Sequence, residues 1–250
     1  MTHWIEAMCE PTQLILAWQP AALDAASRWR WAVGLLTAVG PDIELRYFQP
    51  GDEFERYNSG KKFDELVQLG YLGYPALSME VATHREGVKQ ALMRRLPPRS
   101  RSDFAAYAAQ FRLRDAQHLS DFALLARTEA KVPSDGFSVV DPLDAKASQC
   151  DVLVEIAGYR HYMDDTRPVQ VGDRIQIVAE PENEFDSNAV ATLLDGTKVG
   201  NVNRLQAVTF LSWLELHAVD AVVERINGTP ERPRIFLFVR VRPTDQRAAA

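Results

Sequence analysis

"EPENEFDSNAV", residues 180–190, places Glu180, Glu182, Glu184 and Asp186 within seven positions and ends in Asn188 just ahead of an apolar run. Three chemistries use such a string: a calcium loop, a catalytic carboxylate pair, or a turn whose polar side chains bond the backbone. A calcium loop needs alternating oxygen ligands, a glycine at the sharp bend and a closing bidentate glutamate. "ENEFDSNAVATLL" has no glycine there and no terminal glutamate, so no metal is expected. An acid–base pair needs two carboxyls whose environments separate their pKa values. No nucleophile, metal motif or phosphate-binding glycine loop elsewhere in the chain completes such a site, so neither enzymatic activity nor a cofactor is expected. The third chemistry suits Asn183, Asp186 and Asn188, residue types that hold turns by bonding backbone two or three positions on. The flanking sequence decides whether the turn also has a function.

Outward from this loop, residues 151–158, 173–180, 188–194, 198–202, 217–226 and 234–241 are rich in β-branched and aromatic residues and read as strands, while "RLQAVTFLSWLEL" (204–216) reads as a helix. Many short strands with one principal helix predict a small, mainly β, OB-like or SH3-like barrel over residues 149–243. Residues 1–145 read differently. Three strands (13–18, 31–37 and 43–48) precede helical spacing at 63–69, 87–96, 103–111 and 121–126, with Ser102 as a helix cap and Pro97 and Pro98 as a stop. This predicts an α+β module, separated from the barrel by the polar segment around 141–150, so that a chain starting near residue 148 should fold alone. The tail, 244–250, is expected to be disordered.

Composition is that of globular material, with 46% apolar and 25% charged residues. No apolar run approaches the ~18 residues that span a bilayer, and the N-terminus lacks the pattern of a signal peptide. A soluble, cytoplasmic protein with no membrane partner is expected. The formal charge of −6 argues against a generic nucleic-acid coat. Residues 1–148 carry 17 basic and 19 acidic side chains, and residues 149–250 carry 11 and 15, so any phosphate contact in the C-terminal half must be a small local site. Cys9 and Cys150 have neither a second cysteine nor a histidine at ligand spacing.

The order "AGYRHY", a polar loop, "VGDRIQIVAEPENEFDSNAVATLL", "GTKVGNV" and an apolar helix resembles the HIRAN domain over about residues 152–242. That domain is found in eukaryotic fork-remodelling helicase-like translocases and in bacterial proteins. The most specific part of the match is Glu180, Pro181, Asn183, Asp186, Asn188 and Ala189, followed by Val199 and Gly200. The resemblance implies a modified OB-like barrel that captures the 3′-hydroxyl end of single-stranded DNA. Arg160 falls on the arginine of the family's Gly-x-Arg-Tyr-Tyr motif, which meets phosphate and base. His161 stands where a tyrosine stacks on the terminal base, and Asp186 matches the aspartate that accepts from the terminal hydroxyl. Phe185 replaces a second tyrosine, keeping a ring and losing a hydroxyl. Arg204 falls near a basic phosphate contact, and Asn201 sits where a histidine is expected. An end-binding pocket needs an acceptor, a stacking ring and cations, and this set contains all three.

The N-terminal half, through "AVGLLT", "IELRYF", "GYPALSME", "ALMRRLPPRS" and "FALLARTEAKVPSDGFSVV", resembles the N-terminal subdomain of HipA-type toxin kinases, with no kinase domain following. That resemblance implies an interaction module with a protein partner. Its cluster Arg94, Arg95, Arg99 and Arg101 reads either as a solvated basic face or as a phosphate contact. The expected protein is therefore of bacterial type and non-enzymatic. It recognises single-stranded DNA, a 3′ end or damaged DNA, in repair, replication or defence. The alternative is a protein-interaction regulator of the toxin–antitoxin kind whose barrel does not bind DNA.

Overall fold

The computed structural model describes residues 3–20, 29–132 and 134–244; most of the tail expected to be disordered, residues 245–250, lies outside them. The chain divides into two units. One comprises Glu10–Phe111 and Asp115–Pro142, and the other Met1–Cys9, Arg112–Arg114 and Leu143–Ala250. The main changeover falls at Pro142/Leu143, inside the polar segment, but the C-terminal unit also takes in two short pieces of the N-terminal half.

In the first unit, β1 (Gln13–Trp18), β2 (Trp31–Val39) and β3 (Asp42–Tyr47) form an antiparallel meander, to which β4 (Thr83–His84) adds at one edge and β5 (Phe137–Val140) at the other. The helices are short: α1 (Asp52–Tyr57), α2 (Phe63–Gln68), α3 (Val88–Met93), α4 (Phe104–Gln110) and α5 (Asp121–Thr128). The buried Asn58 fixes the end of α1 to β2, donating to the carbonyls of Ala32 and Phe54 and accepting from the Ala32 amide. Ser102 does not cap α4. Asp103 holds the cap position without a side-chain cap bond, because its carboxylate is bound by Arg101. Helix α3 ends at Met93 rather than at 96, and its chain continues through i→i−3 bonds at Arg95 and Leu96.

The arginine cluster is not uniformly a solvated face, and two of its members face protein rather than an open phosphate site. The Arg95 side chain is 7% exposed, pairs with Asp135 and donates to the carbonyls of Ala130 and Phe137. Arg99 donates to the carbonyls of Ala116, Gln117 and Leu119 and pairs with Asp121. Both guanidiniums thus satisfy main-chain carbonyls, including that of Phe137 on the edge strand β5. Arg94 alone is exposed and in no ion pair among the described residues.

In the second unit, β6 (Cys150–Glu155), β7 (Arg174–Ala179), β8 (Val190–Leu194), β9 (Thr197–Asn201), β10 (His217–Thr229) and β11 (Arg232–Pro243) form one sheet in the order β6-β11-β10-β7-β8-β9. All neighbours pair antiparallel. The sheet is not closed by a continuous ladder. Its outer strands are joined by one isolated bridge, in which Ala157 and Asn201 exchange backbone hydrogen bonds of 2.8 and 2.9 Å. Helix α6 (Arg204–Leu216) is capped by Asn203, whose Oδ1 accepts from the Leu205 amide, and it buries Ala207, Phe210 and Trp213 against the sheet's apolar face. No described helix is long and apolar enough to cross a membrane.

The N-terminal piece completes this unit. Asp151, 1% exposed, accepts from the amides of Glu6 and Ala7 and from Arg242, and its own amide donates to the Ala7 carbonyl. Glu224, whose side chain is 3% exposed, meets the His3 ring at 2.5 Å and Arg112 at 2.7 Å. A chain starting near residue 148 would lack the Glu6 and Ala7 groups that bind Asp151, leaving it Arg242, and would lack both His3 and Arg112 at Glu224, so it should be much less stable than the whole.

Asp151 also predicts an acid sensitivity. Burial alone would raise its pKa, but the Ala7 and Glu6 amides and Arg242 outweigh burial and hold it below the ordinary value. A depressed folded-state pKa stabilises the fold above the unfolded carboxylate's pKa, and that contribution disappears as pH falls through the folded value. The difference in melting temperature between the unmutated protein and Asp151→Asn should therefore shrink between about pH 7 and about pH 3. A constant difference would show that the charge is not what holds the N-terminal piece.

Candidate nucleic-acid interface

The six residues singled out in the sequence occupy three segments: the turn after β6, the β7–β8 loop, and the junction of β9 with α6. The first and third meet at the Ala157–Asn201 bridge. Gly200 permits this approach. It has φ of 148°, and a Cβ there would lie 2.4 Å from the Ile156 side chain and 2.6 Å from the Ala157 carbonyl oxygen. The bridge leads into Gly158, which is left-handed, and into the 3-10 turn Tyr159–His161, which packs beside β9 and β11. Tyr159 is buried, leaving Arg160 half-buried and His161 exposed.

Arg160 does not pair with Asp164 or Asp165. Among the described residues its guanidinium is in no ion pair, and its one hydrogen-bonding partner is the His161 ring, at 3.3 Å from Nε. A cation at a surface turn with no carboxylate partner remains available to an anionic ligand.

The β7–β8 loop is ordered by its own polar side chains, as the turn reading expects. Oδ1 of Asn183 accepts from the amides of Phe185 (3.0 Å) and Asp186 (3.2 Å), and Oδ1 of Asp186 accepts from the Asn188 amide (2.9 Å). The second Asp186 carboxylate oxygen accepts no hydrogen bond among the described residues. The adjacent Phe185 does not pack into the sheet: it is 85% exposed, the largest apolar ring presented to solvent in this unit. A turn that uses one oxygen of its aspartate and projects the preceding ring into solvent has done more than reverse the chain.

Arg204 opens α6 on the Asp186 side. Burial pushes its pKa down to about 10, and the Asp186 carboxylate partly offsets that shift, so the guanidinium stays charged at neutral pH. Asp186 and Arg204 are thus electrostatic neighbours. Asn201 contributes its backbone to the bridge, and its buried Oδ1 has no hydrogen-bond partner among the described residues. The structure therefore brings Asp186 near Arg204, sets Arg160 against His161, and joins their segments through Asn201; Phe185 stands clear at the loop tip.

Sequence reasoning missed Tyr162 and Lys198. Tyr162 follows directly on the Arg160–His161 pair, and the Lys198 ammonium lies 5.4 Å from its ring centre and 2.5 Å from Glu180 Oε2. Tyr162 had a signal, as the last residue of the Gly158–Tyr162 motif. Lys198 had none, since its position against the loop follows from hairpin register.

Comparison with known proteins gives the same segment. Residues 150–243 match the family model of the HIRAN domain. Among solved structures, the HIRAN domain of human HLTF is 19% identical, covering 38% of this chain and 77% of that one, with a TM-score of 0.32. A crystallised protein from Lactobacillus plantarum is 18% identical, covering 37% of this chain and 96% of that one, with a TM-score of 0.29. No curated protein matches.

Proposed function

We propose that the HIRAN domain at residues 150–243 is a non-catalytic module that captures the 3′-hydroxyl end of single-stranded DNA on an OB-like sheet curled around α6. The observation that carries this reading is the Asp186 carboxylate, held by the loop through one oxygen and open at the other, near Arg204, with the exposed ring of Phe185 on the preceding residue. Near a polyanion a carboxylate is repulsive unless it receives a hydrogen bond, and a terminal hydroxyl supplies one. Phe185 and His161 offer stacking platforms, and Arg160 and Arg204 offer cations for the last phosphates. A site of two cations on a chain of net charge −6 favours a strand end over long duplex contacts. The HipA-like interaction reading of the N-terminal half rests on sequence resemblance alone.

The test is the sign of a difference. Asp186→Ala should weaken binding to a strand with a free 3′-hydroxyl by about 1.5–3 kcal/mol, the range for a hydrogen bond to a charged group, and leave binding to a 3′-phosphorylated strand unchanged or slightly tighter. Arg160→Ala should weaken both, since a phosphate contact is indifferent to the terminal group. Fluorescence anisotropy on variants shown to be folded by circular dichroism measures both. Equal losses for the two strands in Asp186→Ala would mean the carboxylate shapes the loop and does not read the end.

A further inference from the structure

We infer that Lys198 is a positioning residue for DNA-end recognition: it ties the β7–β8 loop to the Tyr162 turn, and so sets where the Asp186 carboxylate stands. This rests on the proposed capture of a 3′-hydroxyl by Asp186.

The connection can be followed atom by atom. The half-buried Lys198 ammonium lies over the Tyr162 ring at 5.4 Å, within cation–π range, and donates to Glu180 Oε2 at 2.5 Å. The same Glu180 oxygen accepts from Nδ2 of Asn183 at 3.2 Å. The other end of that amide, Oδ1, accepts from the backbone of Phe185 and Asp186, and Asp186 in turn holds Asn188. One cation–π contact followed by a chain of charge-assisted and neutral hydrogen bonds therefore runs from the turn bearing Arg160 and His161 to the backbone of the two residues, Phe185 and Asp186, proposed to meet the strand end.

Asn183 is the vulnerable link. An isolated asparagine can rotate its amide, and a rotated amide would present donors to the two backbone N–H groups it now accepts from. Glu180 prevents this by demanding a donor at Nδ2, and Lys198 holds Glu180 in place. Without the ammonium, Glu180 keeps a single weak partner and can swing to solvent, and the loop loses the restraint that fixes Phe185 and Asp186. Glu180 is then neither a metal ligand nor a catalytic acid but the middle of this tether.

The variant that isolates the effect is Lys198→Met, which keeps an unbranched apolar stem against Tyr162 and removes the charge; Lys198→Arg restores it. Two readouts are needed, one without DNA. Hydrogen exchange of the unliganded protein should show the Phe185, Asp186 and Asn188 amides exchanging about tenfold faster in Lys198→Met, with the β6 and β11 amides unchanged and with recovery in Lys198→Arg. In anisotropy titrations, the preference for a 3′-hydroxyl over a 3′-phosphate strand should fall about tenfold in Lys198→Met and recover in Lys198→Arg. Unchanged loop exchange would overturn the tether whatever the DNA result. Faster exchange with an equal loss of affinity for both strands would make Lys198 a phosphate contact and overturn its positioning role. An unmutated protein that binds both strands alike would overturn end capture, and the positioning role with it, while the exchange data would still report on the tether.

Discussion

Gly200→Ala should destabilise the C-terminal unit by about 4 kcal/mol, combining the cost of a side chain in a sparsely populated backbone region with that of overpacking. The added methyl would meet the Ile156 side chain at 2.4 Å and the Ala157 carbonyl oxygen at 2.6 Å. Neither obstacle can yield cheaply. Ile156 is core, and the Ala157 carbonyl accepts the Asn201 amide in the one bridge that joins the outer strands of the sheet. The bridge must open for the methyl to fit. Because Arg160 and His161 follow the bridge on one side and Arg204 on the other, DNA binding should be lost along with stability. Chemical denaturation followed by hydrogen exchange of the β6 and β11 amides measures the first effect. A loss below about 1 kcal/mol would show that the bridge opens without consequence.

Arg95→Met should cost about 3–5 kcal/mol in the N-terminal unit, as expected when one partner of a largely buried ion pair is removed. The guanidinium satisfies Asp135, the carbonyls of Ala130 and Phe137, and the face of Tyr74 together. Burial would raise the Asp135 pKa, but Arg95 and the Phe137 amide hold it below the usual carboxylate value; without Arg95 burial is opposed mainly by that amide, and the carboxylate loses the partner that favours its charge. DNA affinity and its salt dependence should not change, since this guanidinium faces protein rather than a ligand. A weaker salt dependence in a fully folded variant would return the cluster to phosphate binding.

Local pattern carried much of the fold. Alternating β-branched residues gave every strand of the C-terminal unit to within a few positions, and α6 was readable at 204–216 because a turn-forming asparagine precedes an apolar run of helical period. Helix α1, Asp52–Tyr57, was not legible because four of its six residues are charged and it buries a single side chain, Phe54, which shows no period. The composition of the C-terminal unit was hidden for another reason. Asp151 and Glu224 find their partners some 90 to 220 positions away, and no local rule links His3 or Arg112 to them. The arginine cluster misled because a run of cations usually marks a solvated face. Arg95 and Arg99 instead bind main-chain carbonyls and the carboxylates of Asp135 and Asp121, partners that sequence does not reveal.

At the candidate site, the turn-forming roles of Asn183 and Asp186 were legible, and so was the availability of a ring at Phe185. The Asn201–Ala157 bridge and the Lys198–Glu180 pair were not, because each depends on which strands end up as neighbours. The motif residues Val199 and Gly200 acquire a physical reason only once Ile156 and Ala157 are seen against them.

The most direct test of 3′-end capture is a titration of the unmutated protein with two single strands of identical sequence, one ending in a 3′-hydroxyl and the other in a 3′-phosphate, at one fixed salt concentration. The open Asp186 oxygen predicts that the hydroxyl strand binds about tenfold or more tightly, since it alone offers the carboxylate a donor while the phosphate brings a second negative charge against it. Equal affinity for the two strands, or tighter binding of the phosphorylated one, would contradict it.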